Sequence, residues 1–160
     1  MNCFYLFRGH CHINAAVDEE ELKEAIATVL KESPIPHAEE YAIHDYEGFY
    51  GVVSIREYES LSTVTELARF IEEYGELGAL LLDFCSNEVD TARRTLEEDY
   101  RGSYRSLSEF AEELTEETTT IPDAIRYYID YDHMASDMEL SGDIFSLETR
   151  DHLIHVFWSR

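Results

Sequence analysis

The sequence lacks the features of a secreted or membrane protein. Its three cysteines, Cys3, Cys11 and Cys85, are odd in number and widely spaced. This pattern is unlike a disulfide framework and suits a reducing compartment. No apolar run approaches the roughly 18 to 20 residues of a membrane span, and the first eight residues are too short and too polar for a signal peptide. We therefore expect a cytoplasmic protein that has no contact with a membrane.

Positive charge is also scarce. The 160 residues contain 12 Lys and Arg against 35 Asp and Glu, which gives a formal net charge of −23. At roughly 1.7 Å of duplex axis per charge, this equals the charge of about 39 Å of DNA, on the order of 12 base pairs. Such a chain repels phosphates, so nucleic acid is excluded as a ligand and the expected partner is a basic protein surface. With 44% hydrophobic residues, the chain is not a disordered acidic tail.

Motifs for catalysis and for metal binding are missing as well. His44, Asp45 and Ser54 could be imagined as a hydrolytic triad, but no nucleophile elbow and no glycine-rich phosphate loop accompanies them. Cys3 and residues 10–12 (HCH) offer zinc ligands in a spacing that is wrong for a finger, and adjacent strand residues point to opposite faces. We expect no enzymatic activity, no metal and no cofactor.

Periodicity and turn residues predict an α+β fold in three small modules. The first, 1–58, has strands at 2–7, 11–16 and 40–45 around an amphipathic helix at 18–31. The second, 59–101, is helical: it starts at an N-cap, Ser60 or Ser62, is interrupted at Gly75, and ends with a helix from Asn87 or Glu88 to Tyr100.

The third predicted module, 102–160, contains helices and a terminal strand pair. Ser106 and Glu109 form a capping box that opens a helix at 107–114. Pro122 opens a helix from 123 to about 140, which Gly142 closes. Residues 143–147 and 152–158 then alternate as two strands.

Five glutamates of this module recur at helical spacing. Because they lie at i, i+3, i+4, i+7 and i+8, they fall on one helix face and could stand in for backbone phosphates. They are Glu109, Glu112, Glu113, Glu116 and Glu117. The alternative is that these glutamates only form a solvated helix face. Further acidic clusters make this alternative less favoured; they lie at 97–99 and at Asp130, Asp132, Asp137 and Glu139. Salt adaptation is another alternative, since only two lysines accompany ten arginines.

Aromatic residues gather on the last predicted helix. Tyr127, Tyr128 and Tyr131, with Ile129 and Met134, form a band there. A buried core stripe is the default interpretation of such a band, and a subunit interface is the sharper alternative.

Four segments, in order and in spacing, resemble the ArdA family of antirestriction proteins. They are 39–49 (EEYAIHDYEGF), 67–76 (LARFIEEYGE), 100–114 (YRGSYRSLSEFAEEL) and 121–145 (IPDAIRYYIDYDHMASDMELSGDIF). The resemblance extends from about Gly9 to the C-terminus. The start of the chain departs from the family, whose members usually have a longer first strand and turn before the glycine that matches Gly9.

The resemblance implies a DNA mimic that occupies the DNA-binding groove of type I restriction-modification enzymes. Such proteins are carried by mobile elements such as conjugative transposons. It also implies an elongated chain of three modules and a homodimer formed through the C-terminal module, with the antirestriction motif at about 127–140. An acidic adaptor for a basic nucleoid or transcription protein is the alternative from a different class.

On this interpretation two sets of residues carry the function. The expected phosphate-mimic carboxylates are Glu72, Glu73, Glu76, Asp83, Glu88, Asp90, Glu97, Glu98, Asp99, Glu109, Glu112, Glu113, Glu116, Glu117, Asp123, Asp130 and Asp132. The expected dimer contacts are Tyr127, Tyr128, Tyr131, Met134 and Met138.

Overall fold

A computed structural model describes residues 3–6, 12–32 and 42–160. The described residues contain six strands and six helices, which confirms the predicted α+β class. They form two compact units, an N-terminal unit (Met1–Ala92) and a C-terminal unit (Arg93–Arg160). The division into three modules stays a prediction, and its boundary between residues 101 and 102 falls inside a strand.

The N-terminal unit contains one small antiparallel sheet. Strand β1 (Cys3–Leu6) lies between β2 (His12–Asn14) and β3 (Ile43–Glu47). Helix α1 (Glu19–Lys31) follows β2, with glutamates in its first turn and a lysine in its last turn, as the helix dipole favours. Its apolar stripe buries Leu22 completely. The predicted helix at 18–31 is thus confirmed.

Helix α2 (Leu61–Phe84) contributes more buried hydrophobic residues than any other element of this unit among the residues described. Its N-cap is Ser60, whose hydroxyl accepts a hydrogen bond from the Thr63 backbone N–H at 3.1 Å. Gly75 interrupts the helix at φ 62° and ψ −140°, a conformation that glycine adopts without a Cβ clash. The predicted break is therefore confirmed. Helix α3 (Val89–Glu98) follows and crosses the boundary between the two units.

The C-terminal unit packs helices on a second antiparallel sheet. Its strands, β4 (Tyr100–Tyr104), β5 (Ile144–Glu148) and β6 (Ile154–Trp158), are ordered β4-β6-β5. Between β4 and β5 lie α4 (Leu107–Thr118), α5 (Asp123–Arg126) and α6 (Tyr131–Ser141). Helices α4 and α6 contact each other and the sheet. The core between them is formed by Tyr104, Phe110, Ile144 and Val156.

Three predicted helix boundaries are wrong in this unit. The helix predicted to run to Tyr100 ends at Glu98, and Tyr100 begins β4. The single helix from 123 to about 140 is interrupted, because the Asp130 side chain accepts the backbone N–H of His133 at 2.9 Å and starts a new helix. The helix predicted to end at Leu114 continues for another turn to Thr118. The predicted closure at Gly142 (φ 79°) and the terminal strand pair are confirmed.

The helices of the described ranges include none with both the length and the apolar character needed to span a bilayer. Two of the candidate metal ligands, His10 and Cys11, lie outside the described residues. In the part of the chain that is described, no three His, Cys, Asp or Glu side chains are grouped to hold a metal ion. The carboxylate of Asp45, from the imagined triad, accepts the neighbouring backbone N–H of Tyr46.

Candidate functional site

Helix α4 holds five glutamates at the surface. The Ser106 hydroxyl accepts the Glu109 backbone N–H at 3.2 Å and fixes the start of the helix, while Phe110 and Ala111 anchor its opposite side in the core. All five glutamates of the predicted ladder are exposed. From Glu109 to Glu117 the helix rises about 12 Å, so the carboxylates are on average about 3 Å apart along the axis, in alternating steps of about 4.5 and 1.5 Å. Duplex DNA has one charge per about 1.7 Å of axis when both strands are counted, and one per about 3.4 Å for each strand of the duplex.

Two of these carboxylates also bind the N-terminal end of their own helix and strand β4. Glu109 Oε2 accepts the backbone N–H of Arg105 at 2.8 Å, which completes a variant of the predicted capping box. Glu113 Oε1 accepts the hydroxyl of Tyr104 at 3.2 Å. Burial raises the pKa of Tyr104, and the charge of Glu113 acts in the same direction. The Tyr104 hydroxyl has two acceptors in reach, Glu113 Oε1 at 3.2 Å and the backbone carbonyl of Arg101 at 3.3 Å.

The other three differ in how available they are. Glu116 forms an ion pair with Arg126 of α5. Its cationic partner thus comes from another helix, since α4 itself has no lysine three or four residues away. Glu112 and Glu117 have no hydrogen-bond or ion-pair partner within the described ranges. These two are the carboxylates of α4 that are most available to an incoming cation.

The remaining predicted carboxylates are distributed over both units. In the N-terminal unit five are exposed and one, Glu76, is half-buried. The five are Glu72, Glu73, Asp83, Glu88 and Asp90. Those exposed in the C-terminal unit, besides the α4 set, are Glu97, Glu98, Asp123, Asp130 and Asp132.

Asp99 is placed differently from the other predicted carboxylates. Only 9% of it is exposed, and its Oδ1 lies 2.7 Å from Nε of Arg160. Its backbone carbonyl accepts the N–H of Trp158 at 2.9 Å, so the residue joins the end of α3 to β6. Its assignment to the phosphate-mimic surface is wrong, because a buried and paired carboxylate is not presented to a partner.

A cleft borders the first turns of α4. We call it the tyrosine cleft: it has a volume of about 530 Å³ and is lined by Ser106, Ser108, Glu109, Glu112 and residues 127–132. The interruption between α5 and α6 forms one wall. The structure thereby brings Asp130 and Asp132 together with two glutamates of α4.

The tyrosines of this cleft do not form a core stripe. Tyr127 is 90% exposed and Tyr128 is 85% exposed, which overturns the default interpretation for both. Tyr131 and Met134 are half-buried, and Met138 packs against the core of the unit. Of the five predicted dimer contacts, only the first two are therefore largely exposed.

Two exposed apolar residues of the C-terminal unit were not predicted from the sequence. Ile125 is 52% exposed and Leu140 is 85% exposed. A continuous helix from 123 to 140 would have one apolar stripe, and the interruption at 127–130 changes the orientation of its two parts. The signal that could have revealed it is Asp130, an N-cap residue three positions before His133.

Comparison with known proteins identifies the family. No curated protein matches the chain. A sequence model of the family described as antirestriction protein (ArdA) matches residues 9–150. The matched range contains all six helices of the described residues, including α4 and the segment around the tyrosine cleft. Because the match covers most of the sequence, the chain belongs to the ArdA family of antirestriction proteins.

Proposed function

We propose that this protein inhibits type I restriction-modification enzymes as a DNA mimic that occupies their DNA-binding groove, without catalysis of its own. Family membership supports an antirestriction role. The observation that carries the finer proposal is the exposed row of five glutamates on α4, which a helix cap and a packed core hold in place. Their mean axial spacing of about 3 Å falls between the charge spacing of the whole DNA duplex and that of one of its two strands.

The affinity of such a mimic comes from many cationic side chains of the groove. Exposed charge pairs contribute little individually and are screened by salt. Inhibition should therefore weaken steadily as the salt concentration rises, and no single exposed carboxylate should be decisive. Neutralising Glu109 alone should have little effect on inhibition, whereas neutralising all five glutamates of α4 should weaken it strongly.

We further propose that two copies associate through the C-terminal unit, which would double the charged length. The support is the exposure of Leu140 and Ile125, since large apolar side chains at a surface are typical of protein interfaces. The homodimer is part of the proposal because a longer mimic would cover more of a DNA groove.

The test is a competition experiment. The purified protein is titrated into a type I methyltransferase bound to a labelled duplex that carries its recognition site, at low and at high salt. Displacement of the duplex near one dimer per enzyme, weakening with salt, is the expected result. If the duplex stays bound with methyltransferases of several type I families, the DNA-mimic proposal fails and the acidic-adaptor function becomes the better account.

A further inference from the structure

We propose that Gly75 and Gly78 are positioning residues for inhibition: they set the angle between the two arms of α2, and inhibition depends on that angle as well as on charge. The inference rests on the proposed function, because it concerns how acidic side chains are placed for the partner. The first arm is 61–74 and the second arm is 76–84. Exposed carboxylates lie on both sides of the bend: Glu66, Glu72 and Glu73 on the first arm, Asp83 on the second arm, and Glu88 and Asp90 after it.

The bend of α2 at Gly75 is sharp. In a continuous helix, residues eight positions apart are separated by about 12 Å along the axis. A Cβ added to Gly78 would nevertheless lie 3.2 Å from the carbonyl oxygen of Phe70 and 2.8 Å from Cβ of Tyr74. The second arm therefore turns back against the last turns of the first arm. A side chain at position 78 would push the two arms apart, so glycine is required for this close approach.

Two contacts with the loop before α2 hold the second arm at this angle. Tyr50 has φ 56°, a conformation that is unfavourable for a residue with a side chain, and its hydroxyl oxygen lies 3.9 Å from the position of a Cβ on Gly75. Beyond the other end of the arm, Asn87 Nδ2 donates a hydrogen bond to the carbonyl oxygen of Ser54 at 3.1 Å. Strained residues persist only where the surrounding structure determines them, and they gather at functional sites. The angle is thus fixed at both ends of the second arm.

Substitutions at the two glycines change the angle and leave the net charge at −23. Gly75→Ala opposes the bend, because φ 62° with ψ −140° is strained for an L-residue and alanine favours a continuous helix. Gly75→D-Ala supports the bend, since the mirror image of these angles, about −62° and 140°, is an ordinary extended conformation. Gly78→Ala opens the arms through its contact with Phe70. Gly51→Ala is the matched control, because Gly51 has φ 75° and open space around it but lies outside α2.

The first measurement is the distance between the arms in the full-length protein. Spin labels at Glu66→Cys and Asp83→Cys, with the three native cysteines replaced by serine, report this distance. A continuous helix would separate the two positions by about 26 Å along its axis. We expect a shorter distance in the parent and a longer one in Gly75→Ala and in Gly78→Ala. Asn87→Gly is a milder variant that keeps the positive φ of 67° and removes the anchor to Ser54, so its distances should spread over a wider range.

The second measurement is the DNA-competition assay, at concentrations where circular dichroism shows each unlabelled variant to be folded. Gly75→Ala and Gly78→Ala should displace the duplex about 3- to 150-fold less well than the parent, because three exposed charge contacts beyond the bend are lost. Asn87→Gly should show a smaller loss. Gly51→Ala and Gly75→D-Ala should stay within about twofold of the parent. The D-alanine protein is assembled from a synthetic segment by ligation at Cys85.

Three results would overturn the inference. The first is an unchanged distance in both alanine variants of α2, and the second is full inhibition by a variant whose arms have moved apart. The third is a loss in Gly51→Ala or in Gly75→D-Ala as large as that in Gly75→Ala, which would assign the effect to local disturbance instead of to the angle. A parent protein that displaces no DNA contradicts the proposed function. Displacement by the parent and by the opened variants alike contradicts this inference alone.

Discussion

Replacing Glu112 and Glu117 by glutamine should stabilise the protein and weaken its inhibition of the target, two effects of opposite sign. Both carboxylates are exposed, and neither has a hydrogen-bond or ion-pair partner among the residues described. Each adds to the like-charge repulsion along α4. Glu117 also lies in the last turn of α4, beside the negative end of the helix dipole.

The magnitude follows from the helix geometry. The double substitution removes three pairs of like charges at i,i+3 or i,i+4 spacing: 109–112, 112–116 and 113–117. Each repulsion destabilises the helix by about 0.2–0.5 kcal/mol, so about 0.6–1.5 kcal/mol is gained in total. Relief at the helix C-terminus adds about 0.3–1 kcal/mol. In the complex, two exposed charge contacts of about 0.2–1 kcal/mol each are lost, which weakens binding roughly 2- to 30-fold.

Thermal unfolding and the DNA-competition assay, both at low salt, measure the two effects. The matched control is Glu21→Gln with Glu24→Gln on α1, which changes the net charge equally, from −23 to −21, at exposed positions of the N-terminal unit. The control variant should inhibit almost as well as the parent. If both double variants lose inhibition equally, net charge alone decides binding. If the α4 variant unfolds more easily than the parent, the repulsion argument is refuted.

Four further changes test the fold and the proposed dimer. Ser106→Ala removes the cap of α4 and should lower the free energy of unfolding by about 1 kcal/mol in urea titration. Phe110→Ala should lower it by about 3–5 kcal/mol, and a loss below about 1 kcal/mol would contradict the assigned core. Burial lowers the pKa of His155 in the folded state below its unfolded value of 6.5. The contribution of the neutral imidazole to the free energy of unfolding is therefore complete above pH 6.5 and is lost as the pH falls to the folded-state pKa. His155→Phe, which also loses the hydrogen bond to Tyr100, should flatten this dependence of the thermal midpoint. Leu140→Glu should shift sedimentation towards the monomer, and an unchanged dimer would remove this residue from the interface.

The sequence predicted those elements whose local signals and tertiary packing agree. Ser106 caps the helix that it was expected to cap, and Ser60 is the one of the two expected candidates, Ser60 or Ser62, that caps α2. Each hydroxyl satisfies an N–H that the helix leaves without a partner. Gly75 and Gly142 adopt positive φ where helices were expected to break or end. The exposed glutamates of α4 were predictable for a related reason, since one strong apolar anchor, Phe110, fixes which side of the helix is buried.

The sequence analysis failed at one distant ion pair and at one local cap. Asp99 stands in a run of three acidic residues, but Arg160, far along the chain, pairs with it and places it inside the unit. The residues from 123 to 140 have the apolar spacing of a continuous helix, but α5 ends at Arg126 and Asp130 caps a new helix. The tyrosine cleft follows from that interruption, so its lining could not be deduced from helical periodicity.

Repulsion along the acidic face of α4 destabilises this helix, and packing of the core beneath it offsets the loss. Its five like-charge neighbours at i,i+3 or i,i+4 destabilise the helix by about 1–2.5 kcal/mol in total. Burial of Phe110 contributes about 1.5–3 kcal/mol in the opposite direction, and the Ser106 cap adds about 1 kcal/mol. Packing therefore keeps α4 folded whether or not these glutamates are charged. Glu112 and Glu117 are not needed to fold the helix and make it less stable, which agrees with the proposed action of their charge on a partner.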